Sequence, residues 1–69
     1  MKTYPYKLSI ESTHIATLDN NDKFVRANIY LEKKWSDYIV KCFKDGALID
    51  TQVFDDSESA VQFAVEFIN

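Results

Sequence analysis

The sequence predicts a two-layer α+β domain, an antiparallel four-stranded β-meander with one C-terminal α-helix packed on one face (β-β-β-β-α). Three observations predict it: an Asp-Gly pair between two β-rich runs, alternating segments before that pair, and an amphipathic segment at the end. The 69 residues suit one domain, residues 1–69. A core of this size is marginal, so apolar residues must be used efficiently or shared with a second subunit.

The first predicted strand covers residues 4–11, where apolar and polar side chains alternate. Pro5 lacks an N–H and places this strand at a sheet edge or at its first residues. Residues 12–18 could continue the strand past a bulge, with a bend expected near residues 12–14. The Asp and Asn residues at 19–22 predict a turn.

The second strand is predicted over residues 24–32 and the hairpin over residues 38–54, with Asp45-Gly46 as its turn. Two registers are possible. A two-residue turn pairs Phe43 with Leu48, whereas a type I turn with a bulge at Gly46 pairs Phe43 with Ala47. The register of the two-residue turn is favoured because it separates apolar from polar side chains between the two sheet faces and pairs Lys41 with Asp50. It would collect on one face Tyr38, Val40, Cys42, Ile49, Thr51 and Val53.

The C-terminal helix is predicted to begin at an acidic cluster, with Asp55 or Asp56 as its N-cap and Glu58 completing a capping box with Asp55. At about 100° per residue, one broad apolar arc faces the sheet. Its predicted members are Ala60, Val61, Phe63, Ala64, Val65, Phe67 and Ile68. The opposite side is polar and carries Glu58, Ser59, Gln62 and Glu66.

Charge is distributed unevenly along the chain. Residues 1–44 carry eight basic and five acidic groups, whereas residues 45–69 carry six acidic groups and no basic one. A solvated helix face with a capping cluster explains this asymmetry. Alternatively, Asp56, Glu58 and Glu66 belong to an acidic surface that binds a basic partner, such as a nucleic-acid-binding protein.

The sheet face that the helix leaves uncovered is also predicted to be apolar, which is unusual for a one-sided antiparallel sheet. Its expected apolar members are Phe24, Tyr30, Ile39, Phe43 and Leu48, rimmed by Arg26, Lys41, Asp50 and Gln52. Such a patch indicates an interaction surface. A protein partner and a homodimer interface are equally compatible with it, and the true register could bury some of these residues.

No group of residues in the sequence has the types and spacing that would predict catalysis, a metal site or a cofactor. His14 and Cys42 are the only histidine and cysteine, too few for a zinc site. Cys42 falls on an apolar strand face, where a free cysteine behaves as a small hydrophobe. We therefore expect a protein that is not an enzyme.

Direct nucleic-acid binding is not expected either. Its one indication is Lys33-Lys34-Trp35, close to strand aromatics that could stack bases. The net charge of −3 argues against it, because nucleic-acid-binding modules are usually basic. Trp35 could instead be a contact residue for a protein partner, or it could cover one end of the sheet.

A cytoplasmic location is expected, with no membrane association. Met1 to Pro5 lacks an apolar signal core, no apolar run reaches transmembrane length, and the polar face of the helix is acidic. A single cysteine cannot form an internal disulfide.

Two segments carry a resemblance to known proteins, YIVKCFKDG at residues 38–46 and VFDDSESA at residues 53–60. This pattern of strand, Asp-Gly turn, strand and capped helix resembles small phage-encoded anti-CRISPR proteins. The resemblance implies a non-catalytic inhibitor that binds and occludes a CRISPR effector complex in the host cytoplasm. It assigns no role to any particular residue. The expected function is thus a small protein-binding domain, with a homodimeric accessory domain as the alternative.

Overall fold

The computed structural model describes residues 12–34 and 36–69. They form strands β1 (Ser12–Asn20), β2 (Val25–Glu32), β3 (Asp37–Lys44) and β4 (Ala47–Phe54), followed by helix α1 (Ser57–Ile68). The strands are antiparallel in one sheet of order β1-β2-β3-β4, and α1 packs on one face. The predicted fold class is confirmed. The strand predicted over residues 4–11 lies outside the described residues.

The core lies between α1 and the two central strands. Strand alternation places one row of β2 and one row of β3 side chains under the helix. The fully buried members of this cluster are Ala27, Ile29, Val40, Cys42, Ala60 and Ala64. Both buried helix residues are alanines, whose small side chains allow a helix to pack close to a sheet. The rings of Phe54 and Phe63, whose centroids lie 5.4 Å apart, extend the core toward β4.

The predicted apolar arc of the helix is too broad. Val61 is 44% exposed and Val65 39% exposed. They lie about 100° and 140° around the helix from the fully buried Ala60. Side chains at these angles point sideways or away from the sheet, which contacts only one side of the helix.

The β1–β2 connection occupies residues 21–24, two positions later than the predicted turn, because Asp19 and Asn20 remain paired with β2. The Asn20 side chain fixes this turn: its Nδ2 donates to the C=O of Ile68 (2.8 Å) and its Oδ1 accepts from the N–H of Asp22 (3.1 Å). The turn is thus attached to the C-terminal end of α1. The bulge considered for this strand is present at Ile15, one residue after the bend expected near residues 12–14, and it leaves Ile15 without a cross-strand partner.

The β3–β4 hairpin has the predicted two-residue turn. Asp45 and Gly46 have φ values of 53° and 83°, as a type I′ turn requires. Near the turn the preferred register is confirmed, since Phe43 pairs with Leu48. Beyond Leu48 it is wrong, because Ile49 forms a bulge.

The bulge reverses the faces of the remaining β4 residues. Cys42 pairs with Asp50 and Lys41 with Thr51. Thr51 and Val53 therefore lie on the face opposite α1, whereas Asp50 and Gln52 lie on the helix side and not on the predicted outer rim. The physical reason is Phe54: the one-residue shift places it on the helix side, where its ring contacts that of Phe63.

Asp56 is the N-cap of helix α1, and its carboxylate accepts from the N–H of Ser59 at 2.9 Å. Of the two predicted N-caps, Asp56 is therefore the right one. The position three residues later is Ser59, so the capping box of Asp55 and Glu58 does not form. In the part of the chain that the structure describes, no helix has the length and apolarity needed to cross a bilayer.

Candidate functional site

The outer face is the sheet surface opposite α1. Cross-strand pairing places on it Arg26, Asn28 and Tyr30 of β2, Ile39, Lys41 and Phe43 of β3, and Leu48 of β4. The prediction that Tyr30, Phe43 and Leu48 share this face agrees with the observed register. Ile39 also lies on it but is 1% exposed and so belongs to no exposed patch, contrary to the prediction.

One end of the outer face forms a cavity of about 390 Å³ where the β1–β2 turn meets the β3–β4 turn. We call it the Phe24–Phe43 depression. Among the residues that line it are Asp19, Phe24, Arg26, Asn28, Phe43 and Asp45. Three predicted partner-binding residues, Phe24, Arg26 and Phe43, are thus brought together. Leu48, 52% exposed, adjoins them as the cross-strand partner of Phe43.

Phe24 has an unusual conformation. It lies in the turn and not at the predicted start of β2, and its backbone has φ 57°. Its C=O accepts from the N–H of Asp45 at 2.9 Å, which joins the two turns. The side chain is nevertheless 70% exposed. A bulky residue with positive φ is disfavoured by its backbone and here gains little from burial, a combination typical of functional positions.

The charges in the depression do not cancel. The Nε of Arg26 lies 3.9 Å from Oδ2 of Asp19, a long ion pair between side chains that are both about half exposed. Among the described residues, no lysine or arginine forms an ion pair with Asp45. Two carboxylates and one guanidinium therefore give the depression a net charge of −1.

A polar network crosses the middle of the outer face. His14 Nε2 lies 2.6 Å from Thr17 Oγ1, and that hydroxyl donates to Asn28 Oδ1 at 3.0 Å. Because a hydroxyl has one proton, His14 Nε2 must be the donor to Thr17. Tyr30 lies beside this network, with the His14 ring 5.4 Å away edge-on and Lys41 Nζ 5.7 Å from its ring centroid. These contacts hold the Tyr30 ring in place.

The sequence did not indicate this network. Thr17 and Asn28 are unremarkable polar residues in alternating strands, and they meet only because the bulge at Ile15 sets the β1–β2 register. Once that bulge is placed, cross-strand alternation is the signal that would have found them.

The remaining predicted site residues lie elsewhere. Asp56, Glu58 and Glu66 belong to the exposed surface at the start and along the length of α1, in the other layer of the domain. Hydrogen bonding to the backbone N–H and side chain of Ser59 lowers the pKa of Asp56. The structure therefore does not join the acidic helix surface to the outer face. Trp35 lies outside the described residues.

The groups with chemical reactivity are separated. Cys42 lies in the core and His14 on the outer face, so the two cannot act together. Burial raises the pKa of the Cys42 thiol to about 11, and the Asp50 carboxylate adds to the increase. Within residues 12–34 and 36–69, no three His, Cys, Asp or Glu side chains could hold a metal ion. Comparison with protein-family models, curated proteins and solved structures finds no match to this chain.

Proposed function

We propose that this chain is a small non-catalytic protein-binding domain that attaches to its partner through the Phe24–Phe43 depression. The supporting observation is the Phe24 ring, which is held at a positive φ by a hydrogen bond between two turns and yet projects into solvent. Folding alone gives no reason for a large aromatic side chain there. A partner that covers the ring would supply one.

The composition and size of the depression suit a protein side chain. Aromatic and arginine residues are over-represented among the residues that contribute most to protein–protein affinity, and they cluster around pockets that become dry on binding. Phe24, Phe43 and Arg26 surround such a space, and Leu48 widens the apolar area at its side. The volume, about 390 Å³, is enough for one large partner side chain.

The resemblance of residues 38–60 to small anti-CRISPR proteins suggests the kind of partner. In this proposal the chain is a phage inhibitor that acts in the host cytoplasm by occupying a surface of a CRISPR effector complex. Inhibition by occlusion requires a stable, exposed contact patch and no reactive group. The outer face has such a patch.

Affinity capture with paired baits tests this function. The wild-type chain, Phe43→Ala and Val61→Ser are immobilised in equal amounts and exposed to a bacterial lysate that contains CRISPR effectors. We expect wild type and Val61→Ser, which changes an exposed residue of α1, to capture the same effector subunit, and Phe43→Ala to lose it. Equal capture by all three baits, or no capture by wild type, would contradict the proposal.

A homodimeric accessory domain is the second candidate. It is favoured by the neighbouring exposed residues Leu48 and Ile49 on β4, which pairs only with β3 within the described part of the chain. Sedimentation equilibrium over a wide concentration range separates the two. If wild type has the mass of a dimer and Leu48→Ser that of a monomer, the homodimer is favoured. A monomer mass at every concentration would exclude the homodimer.

A further inference from the structure

We infer that the Phe24–Phe43 depression accepts an arginine side chain from a basic segment of the partner. This inference rests on the proposed function and adds the chemistry of the group that is bound. Three features of the depression point to a planar cation: its aromatic rings, its unpaired carboxylate, and the charge of the surrounding chain.

The rings provide the first feature. Phe24 and Phe43 both line the cavity, and Phe24 is largely exposed. The face of an aromatic ring attracts a cation, and arginine is the protein cation found most often in such contacts because its flat guanidinium stacks on the ring. A lysine ammonium is more strongly hydrated and lacks this stacking surface.

The second feature is Asp45. Its backbone N–H is bonded to the C=O of Phe24, which fixes Asp45 at the edge of the cavity beside the Phe24 ring. Its carboxylate has no ion pair among the described residues, whereas Asp19 is already close to Arg26. An incoming guanidinium can therefore stack on the ring and meet a carboxylate, and Arg26 stays neutralised by Asp19.

The third feature is the net charge of the chain, which is −3. A basic partner segment is attracted to the chain as a whole before contact. Two other ligands that aromatic residues often bind fit less well. A nucleic-acid strand would bring phosphates close to Asp19 and Asp45, and a carboxylate would be repelled in the same way.

The test uses the ¹⁵N-labelled chain and three capped tripeptides that differ only in the central residue: Gly-Arg-Gly, Gly-Gln-Gly and Gly-Glu-Gly. Amide chemical shifts are followed during titration, together with a titration by oligothymidylate. We expect the arginine peptide alone to shift the amides of Asn21, Asp45 and Gly46, with saturation at roughly millimolar concentration.

Asp45→Asn is the matched variant, because asparagine also tolerates the positive φ at this position. We expect it to weaken the arginine-peptide response several-fold. Asp22→Asn, a change to an exposed carboxylate of the β1–β2 turn that does not line the cavity, should leave the response unchanged. Equal shifts with the glutamine peptide, no shifts with the arginine peptide, or a response to oligothymidylate at the same amides would each overturn the inference.

Failure of this inference differs from failure of the proposed function. If Asp45→Asn captures the partner as wild type does and Phe43→Ala does not, the depression binds the partner without a cation. If both variants capture it fully, the depression is not the binding surface.

Discussion

Phe24→Gly removes the exposed ring of the depression and leaves a residue that adopts φ 57° without steric cost. Comparing the binding and the stability of this variant with those of wild type therefore shows whether Phe24 serves binding or folding. If the ring exists for a partner, its removal should weaken binding strongly and lower stability only a little. If it supports the fold, stability should fall.

The expected change in stability is small because opposing effects are of similar size. Relief of the left-handed backbone stabilises the folded state by about 1–2 kcal/mol. The ring is 70% exposed, so the burial that is lost covers about 60 Å² and is worth ~1.5 kcal/mol. The greater freedom of glycine in the unfolded chain adds a loss of roughly 0.5–1 kcal/mol. The net effect lies between no change and about 1.5 kcal/mol of destabilisation.

Urea unfolding, followed by tryptophan fluorescence, measures this difference. Phe63→Ala serves as the contrast, because the Phe63 ring packs on Phe54 in the core and its loss should lower the free energy of unfolding by about 3 kcal/mol. Binding of the captured partner to Phe24→Gly should be about 30-fold weaker or worse, the equivalent of ~2 kcal/mol. Destabilisation of Phe24→Gly by as much as Phe63→Ala, with unchanged affinity, would refute the reasoning.

Three further outcomes follow from single groups in the fold. The pKa of Cys42, raised to about 11 by burial, means that the folded state holds the thiol proton more tightly than the unfolded chain. Stability should therefore fall by on the order of 2 kcal/mol as the pH rises from about 9 to about 11, and Cys42→Ala should abolish this fall in pH-dependent urea unfolding. The pKa of Asp56 is lowered by its hydrogen bonds to Ser59, so its cap stabilises α1 above the unfolded-state pKa and is lost as the pH falls through the folded-state pKa. Helix content measured by circular dichroism should fall with acid in wild type, and a titration of equal size in Asp56→Ala would refute this role. Asp50 Oδ1 accepts from the N–H of Thr51 at 2.9 Å on β4, which is an edge strand among the described residues. Asp50→Ala should expose that donor and raise the mean mass in sedimentation velocity, whereas Asp50→Asn, which keeps an acceptor oxygen, should match wild type; equal masses for all three chains would disprove the protective role.

Local signals were sufficient to predict most of the fold. The Asp45-Gly46 turn depends on the φ preferences of two adjacent residues, and the helix start depends on a cap one residue before the first turn. The strand predicted over residues 24–32 likewise matches the observed β2, which begins one residue later. In each case, interactions among a few residues close in sequence determine the local structure.

The bulge at Ile49 could not be predicted in this way. A regular and a bulged strand pairing differ little in local free energy. The bulged pairing is selected by a contact that reaches outside the hairpin, between Phe54 and Phe63. The position of Phe24 has a similar cause. Phenylalanine favours strands, but the hydrogen bond from Asp45 holds it in the turn.

The candidate site was therefore predicted only in part. Binary patterning identified Phe43, Tyr30 and Leu48 as residues of the uncovered sheet face. The depression itself needs two turns, 20 residues apart in the sequence, to meet through one hydrogen bond. Since neither turn contains information about the other, the contact between Asp45 and Phe24 could be seen only in three dimensions.

Photo-cross-linking tests the location of the partner surface most directly. Benzoylphenylalanine is placed at position 24 in one chain and at position 61 in another, and both chains are irradiated in bacterial cells that contain a CRISPR effector. The two side chains that are replaced, Phe24 and Val61, are exposed on opposite layers of the domain. We expect a single protein to be cross-linked from position 24 and not from position 61. Cross-linking of a partner from position 61 alone would place the contact on the helix and contradict the account.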